Sequence, residues 1–245
     1  MSTSQSHPLD AALALASSAP GQYAGQTSPA YWNMVGPFGG ITAATLLQAV
    51  PVRTNRSTQH WTLAISQAGA DGQPVVTTTA TAVTATRRDT WSASDQPLPP
   101  VPAPAQCPQA EAFFGSEWLQ RYEMRLVEGS LPTQWDGSGD SSLTRLWMRD
   151  APARALDFCA LAAMADIFFP RVWLRRAQMV PAGTVSITIY FHASRAQLAA
   201  TGEGYLLGQA RAQEFRHGFF DHSAQLWNEA GTLLATSHQI VYYKE

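Results

Sequence analysis

The chain contains two stretches built on one plan: an apolar helical segment that ends near a proline and is followed by a pair of strands. The first stretch runs from Gly39 through ITAATLLQAV to Pro51, and its strands are QHWTLAISQ and PVVTTTATAV. The second runs through FCALAAMADIFF to Pro170, and its strands are GFFDHSAQLW and TLLATSHQIVYY. These patterns predict a duplicated α+β fold, with helices at about 39–50 and 156–169, each cradled by antiparallel strands.

The two copies differ in the polarity of matching positions. Counted back from the two prolines, Asp166 of the second copy falls opposite Leu47 of the first. Counted forward from the glycines of the two hairpin turns, Gln239 falls opposite Ala80. Polar groups retained in one copy indicate one working site and one degenerate site, so Asp166 and Gln239 are the first candidates for chemistry.

Asp166 stands among apolar neighbours in MADIFF. A buried carboxylate is costly unless it is hydrogen-bonded, so this position demands partners from elsewhere in the chain. Thr184 and Gln239 can each donate and accept a hydrogen bond. The alternative interpretation is that Asp166 faces solvent in the last helical turn, and that Thr184 and Gln239 are ordinary surface residues.

A proline-rich segment divides the chain. Six prolines lie between Asp95 and Pro108, a density that excludes a helix or a central strand and predicts an extended linker. The predicted organisation is an N-terminal unit (1–94), a linker (95–110) and a C-terminal unit (111–245) that carries the candidate site. The N-terminal unit is shortened, because PVRTNRST alone separates its helix from its hairpin.

Composition excludes several classes of function. The 245 residues carry a formal net charge of −2, whereas sequence-independent nucleic-acid binding requires a basic excess. Cys107 and Cys159 are far apart and have no metal-binding spacing. No apolar run reaches the roughly 18 residues that span a bilayer, so membrane insertion is not expected. These observations predict a cytoplasmic protein without a metal site.

Several motifs follow one another in the order of a known family. They are GPFGG, YEMRLVEG, WMRD, LAAMADIFFP, TVSITIYFH and LLATSHQ. In this order the chain resembles the double-hotdog acyl-CoA thioesterases, the thioesterase II-like family. The resemblance implies two hotdog units in tandem, each a central helix wrapped by an antiparallel sheet. It also implies hydrolysis of a fatty-acyl or related acyl-CoA substrate without a metal, a cofactor or a covalent intermediate. A homo-oligomer is allowed by analogy with other hotdog sheets.

The resemblance also assigns the site. Asp166, Thr184 and Gln239 match the residues with which the family holds the attacking water, and Asp166 would take its proton. Backbone N–H groups near Gly39 and Gly40 are candidates for stabilising the oxyanion, although a turn and helix start explain these glycines equally well. Three arginines after the second helix are candidates for the CoA phosphates, or form a solvated charged face; they are Arg171, Arg175 and Arg176.

Two other functions compete with hydrolysis. A catalytically weak or inactive hotdog protein that binds acyl groups, or acts as an interaction module, is favoured by the shortened N-terminal unit. A hydratase or dehydratase would require a D-x-N-P-x-H motif or a His-Phe-Pro helix entrance, and neither occurs. His222 is the best alternative base, although its neighbour Asp221 should point to the opposite face of a strand.

Overall fold

The computed structural model describes residues 6–34, 36–50, 58–85, 88, 90–110 and 116–245. The connection after the first helix (51–57) and the beginning of the predicted C-terminal unit (111–115) lie outside the described residues. The helices are α1 (Pro8–Ala12), α2 (Gly39–Gln48), α3 (Phe158–Met164), α4 (Arg171–Arg176) and α5 (Arg195–Thr201). The strands are β1 (Ala16–Ala19), β2 (Gln22–Ala24), β3 (Gln59–Ala68), β4 (Pro74–Thr84), β5 (Tyr122–Glu128), β6 (Thr144–Asp150), β7 (Ala182–Phe191), β8 (Leu206–Arg211), β9 (Phe215–Arg216), β10 (Phe219–Asn228) and β11 (Leu233–Tyr243). None of the helices in these described ranges is long and apolar enough to cross a membrane.

The second half of the chain forms a seven-stranded antiparallel sheet in the order β5-β6-β8-β10-β11-β7, with β9 paired to β10. Its inner face covers α3, whose apolar residues are almost all buried. The Phe168 ring, which follows the helix, can lie close to the sheet because Gly208 has no side chain: a Cβ there would come within 2.6 Å of this ring. The hydroxyl of Ser237 donates to the carbonyl oxygen of Ala165 at 3.0 Å and fixes the C-terminal end of the helix.

The first half repeats the plan in reduced form. Helix α2 packs against α3 in the opposite direction, because Gly40 lies at the carbonyl of Ala163 while the amide of Gln48 lies at the thiol of Cys159. Strands β3 and β4 form a separate two-stranded sheet in which no residue is fully buried. Among the described residues of this half, α2 and the β3–β4 hairpin carry the repeated plan, and α1 and the short β1–β2 pair precede them.

Residues 95–110 are extended apart from a 3-10 turn at Pro104–Gln106 and lie on the outer face of the seven-stranded sheet. The indole N–H of Trp147 donates to the carbonyl of Pro102, and that of Trp227 donates to the carbonyl of Gln96, both at 2.9 Å. These bonds satisfy two buried indole donors, so the proline-rich segment serves as a cover for this face as well as a connection.

Both central helices are shorter than predicted. The second begins at Phe158 because the side chain of Asp157 accepts a hydrogen bond from the N–H of Ala160 at 2.8 Å and caps the helix. It ends at Met164, and the chain tightens there: the N–H of Asp166 donates to the carbonyl of Ala163 at 3.2 Å. Asp166 therefore follows the helix instead of lying within its last turn.

Candidate active site

The carboxylate of Asp166 meets the beginning of α2. The backbone N–H of Gly40 lies close enough to lower the pKa of this carboxyl. A Cβ at Gly39 would lie 2.5 Å from Oδ2 of Asp166, and a Cβ at Gly40 would overlap the carbonyl oxygen of Ala163. Only glycine allows this close approach, which places the positive end of the α2 dipole against the carboxylate.

Thr184 and Gln239 reach the same place from neighbouring strands, β7 and β11. The hydroxyl of Thr184 donates to Oε1 of Gln239 at 3.1 Å. Gln239 is 1% exposed, and its amide lies near enough to Asp166 to lower the pKa of that carboxyl. Nε2 of Gln239 is buried and has no hydrogen-bond partner among the described residues. Catalytic hydrogen bonds are often long in the absence of substrate, so this geometry is suited to an inserted water.

Burial dominates the electrostatics of Asp166. Protein atoms surround its carboxyl closely, although part of the residue surface remains accessible. Burial raises the pKa of Asp166 from 3.8 to about 7, and the nearby amide of Gln239 and backbone N–H of Gly40 oppose this rise. A carboxylate with a pKa near neutrality is suited to accept a proton from water. Thr184 is exposed, so the site opens to solvent on the β7 side.

His222 lies beside this group. It pairs with Gln239 across β10 and β11, is 2% exposed, and packs its ring against Phe168 with 5.8 Å between ring centroids. Burial, followed by the positive charge of Arg171, holds the pKa of His222 well below its usual value, so the imidazole is neutral. Asp221 points away and accepts hydrogen bonds from the N–H groups of Gln213 and Glu214 instead.

The three arginines do not form one surface cluster. Arg171 is fully buried, and its guanidinium donates to the carbonyls of Phe169 and Ser142 and to the hydroxyl of Thr144. Because Arg171 is buried, it cannot reach a CoA phosphate. Its hydrogen bonds indicate a structural role instead of the expected binding role. Arg175 is exposed and donates to the carbonyl of Gly139 at 2.8 Å. Arg176 pairs with Glu245 at 2.9 Å.

Three further polar residues of the interior were not among the sequence-predicted site residues. They are Tyr31, Tyr122 and Asp150, all buried. The alternation of β6 carried a signal for one of them: Thr144, Leu146 and Met148 point inward, which places Asp150 inward as well. No comparable signal marked Tyr31, which reaches this region from a distant 3-10 turn.

The fold and the arrangement around Asp166 define a double-hotdog protein, and comparison with known proteins identifies the family. The model of the acyl-CoA thioesterase C-terminal domain family matches residues 95–243. The match spans more than half of the chain, which therefore belongs to this acyl-CoA thioesterase family. No match was found among curated proteins.

Solved structures share the architecture along the whole chain. A hot dog fold protein of unknown function from Alicyclobacillus acidocaldarius is 42% identical, with a TM-score of 0.88, covering 98% of this chain and 99% of that one. A putative thioesterase II from Thermobifida fusca is 18% identical, with a TM-score of 0.75 and coverage of 98% and 99%. An acyl-CoA thioesterase II from Mycobacterium marinum is 16% identical, with a TM-score of 0.69 and coverage of 96% and 98%. The double-hotdog fold predicted from the sequence is thereby confirmed.

Proposed function

We propose that this protein hydrolyses acyl-CoA thioesters with a water molecule that Asp166, Thr184 and Gln239 hold in place. The observation that carries the proposal is the convergence of these three residues on the N-terminal end of α2. They are widely separated in the sequence, and a carboxyl of raised pKa, an amide and a hydroxyl are the groups that binding and deprotonating a water require.

The chemical step follows from the position of each group. Asp166 accepts a proton from the water while the water oxygen bonds to the thioester carbonyl carbon. The carbonyl oxygen becomes an oxyanion, and the carbon–sulfur bond then breaks as the oxyanion collapses. The proton held by Asp166 passes to the departing sulfur, which leaves free CoA thiol and a carboxylic acid. Asp166 returns to its ionised form.

The beginning of α2 supplies the electrostatic stabilisation. The first N–H groups of a helix have no partner within the helix, and the helix dipole places positive potential there. One of them, the N–H of Gly40, already contacts Asp166. When Asp166 becomes protonated in the reaction, it loses the negative charge that attracts this N–H. The N–H can then donate to the oxyanion as it forms. Gly39 and Gly40 are therefore proposed to bind the substrate.

The CoA moiety is proposed to lie toward α4, where Arg175 and Arg176 remain available at the surface. The bond of Arg175 to a carbonyl and the ion pair of Arg176 with Glu245 are both exposed. Exposed ion pairs contribute on the order of 0–1 kcal/mol, so a phosphate can compete for either guanidinium.

Release of CoA thiol from short-, medium- and long-chain acyl-CoAs tests the proposal. The expected result is hydrolysis by the purified wild-type protein and loss of that activity in Asp166→Asn. The partly exposed hairpin of the N-terminal unit favours one alternative, an acyl-binding protein without turnover. Binding of these acyl-CoAs with no thiol released from any of them would establish that alternative.

A further inference from the structure

A second group of polar side chains lies in the interior beyond Asp166. Tyr31 is 0% exposed, Tyr122 is 5% exposed and Asp150 is 2% exposed. The two phenol oxygens and both carboxyl oxygens are buried and form no hydrogen bond with any described residue. Buried polar groups in folded proteins are nearly always paired, so this concentration indicates partners from outside the chain, which are ordered water or a bound ligand.

The three side chains share one region. Tyr122 and Asp150 are directly opposed across β5 and β6, and neither hydrogen-bonds to the other. Burial raises the pKa of both tyrosines most, and negative charge on Asp150 raises each of them further, which is consistent with all three side chains lying together.

This region is continuous with the candidate active site. Phe38 immediately precedes the two glycines of α2, and its ring meets the edge of the Tyr122 ring at 6.4 Å between centroids. Its N–H donates to the carbonyl of Tyr31 at 2.9 Å. Burial raises the pKa of Tyr122 most, and the carboxylate of Asp166 is among the charges that raise it further. An acyl group whose thioester lies at Asp166 would therefore extend toward the polar group.

We propose that Tyr31, Tyr122 and Asp150 form a polar subsite of the acyl pocket, which selects acyl groups carrying an uncharged oxygen substituent, a hydroxyl or an oxo group. The location of the thioester in this proposal rests on the proposed function.

Charge determines the class of substituent. The guanidinium groups of Arg121 and Arg154 act on Tyr31 from nearby and disfavour an ammonium group. The burial that raises the pKa of Asp150 also disfavours a second carboxylate, because an unpaired charge is costly in the protein interior. Burial raises the pKa of Asp150 to about 7, so below neutrality the subsite presents three O–H donors to an oxygen atom. An unsubstituted chain would leave these groups unpaired, and sites of this kind discriminate against ligands that lack the hydrogen-bonding atom.

The test is a hydroxyl scan with octanoyl-CoA and derivatives that carry one hydroxyl at each chain carbon in turn. We expect one derivative to exceed octanoyl-CoA in kcat/KM by about tenfold or more. Tyr122→Phe and Tyr31→Phe should abolish that preference, so that kcat/KM for the preferred derivative falls toward the value that the same variant shows for octanoyl-CoA. Tyr190→Phe, which alters an exposed tyrosine of β7, is the matched control and should preserve the preference.

The proposal is overturned if no hydroxyl position is preferred, or if the phenylalanine variants change all substrates equally. Should no acyl-CoA be hydrolysed, calorimetric titration with free octanoic and hydroxyoctanoic acids separates the two proposals. Tighter binding of one hydroxy acid, lost in Tyr122→Phe, would support the subsite while the hydrolytic function fails. Equal or absent binding would overturn the subsite as well.

Discussion

Thr184 determines which end of the Gln239 amide faces Asp166. The hydroxyl of Thr184 donates to Oε1 of Gln239 at 3.1 Å, so Nε2 is the end of the amide that faces Asp166. An exposed hydroxyl at the edge of the sheet thereby orients a buried amide. In the proposed mechanism, this relationship gives the threonine the task of holding a donor in place for the attacking water.

Removal of the hydroxyl should impair turnover without unfolding the protein. In Thr184→Val the shape is retained but the bond to Gln239 is lost, and we expect kcat to fall by about tenfold, the equivalent of one typical hydrogen bond. Thr184→Ser should retain most activity. The melting temperature should change little in both variants because Thr184 is exposed. Equal activity of the valine and serine variants in steady-state assays would contradict the assigned task.

Gly39 should be far less tolerant of substitution than Gly36. A Cβ at Gly39 would lie 2.5 Å from Oδ2 of Asp166, whereas a Cβ at Gly36 meets nothing within 4 Å. We expect Gly39→Ala to lower kcat/KM on the order of 10²-fold, because displacement of the base or of α2 disturbs the reacting geometry. Gly36→Ala, the control, should resemble wild type. Comparable kinetics for the two variants would show that the contact is unimportant.

Isotope labelling should show that water attacks the substrate directly. In a single turnover with excess enzyme in oxygen-18 water, the label should appear in the carboxylic acid product. If Asp166 instead attacked the thioester and formed an anhydride, water could enter at the Asp166 carboxyl and label the protein. Mass spectrometry of the acid and of the peptide containing Asp166 distinguishes these routes, and label in that peptide would exclude the proposed mechanism.

The fold was predictable where the sequence pattern is local. The strand pairs and the starts of the central helices follow from alternation, apolar periodicity and turn residues, as in β11, where inward Ser237 and Gln239 alternate with exposed His238 and Ile240. Helix ends were less predictable, because the end of α3 depends on its contact with Ser237 in the sheet.

The candidate site was predictable in part. Asp166 was identifiable because a carboxylate among apolar residues needs partners, but its position after the helix depends on tertiary packing. The sequence predicted Arg171 at the surface, because a run of basic residues usually faces solvent. In the structure, α4 turns this side chain into the interior. Tyr31 and Asp150 approach one another only in the folded chain, so no spacing in the sequence could connect them.

Asp150 should make stability fall as the pH rises toward neutrality. Burial raises its pKa from 3.8 to about 7, so the folded state binds the proton more tightly than the unfolded chain. The resulting stabilisation is complete below the pKa of Asp150 in the unfolded chain. It is lost as the pH rises through the pKa of Asp150 in the folded protein. Between these two pKa values the free energy of unfolding should fall by about 1.4 kcal/mol for each pH unit. Asp166 contributes with the same sign.

Denaturant unfolding at about pH 5 and pH 8 measures this effect. Asp150→Asn should lose less stability than wild type over this interval and should be the more stable protein at the higher pH. Asp136→Asn is the control, because Asp136 is exposed and its pKa is lowered, so its effect falls below this interval. A wild-type pH dependence that is unchanged in Asp150→Asn would mean that Asp150 is not titrating in the folded protein.

The pH dependence of kcat/KM in the wild type and in Asp166→Asn tests the central claim most directly. Below the Asp166 pKa of about 7, wild-type kcat/KM should fall about tenfold for each pH unit as the base becomes protonated. Asp166→Asn should be slower by on the order of 10²–10⁴-fold and should lack this acidic limb. If Asp166→Asn instead retains nearly full activity with the wild-type profile, Asp166 does not activate the water, and His222 becomes the residue to test.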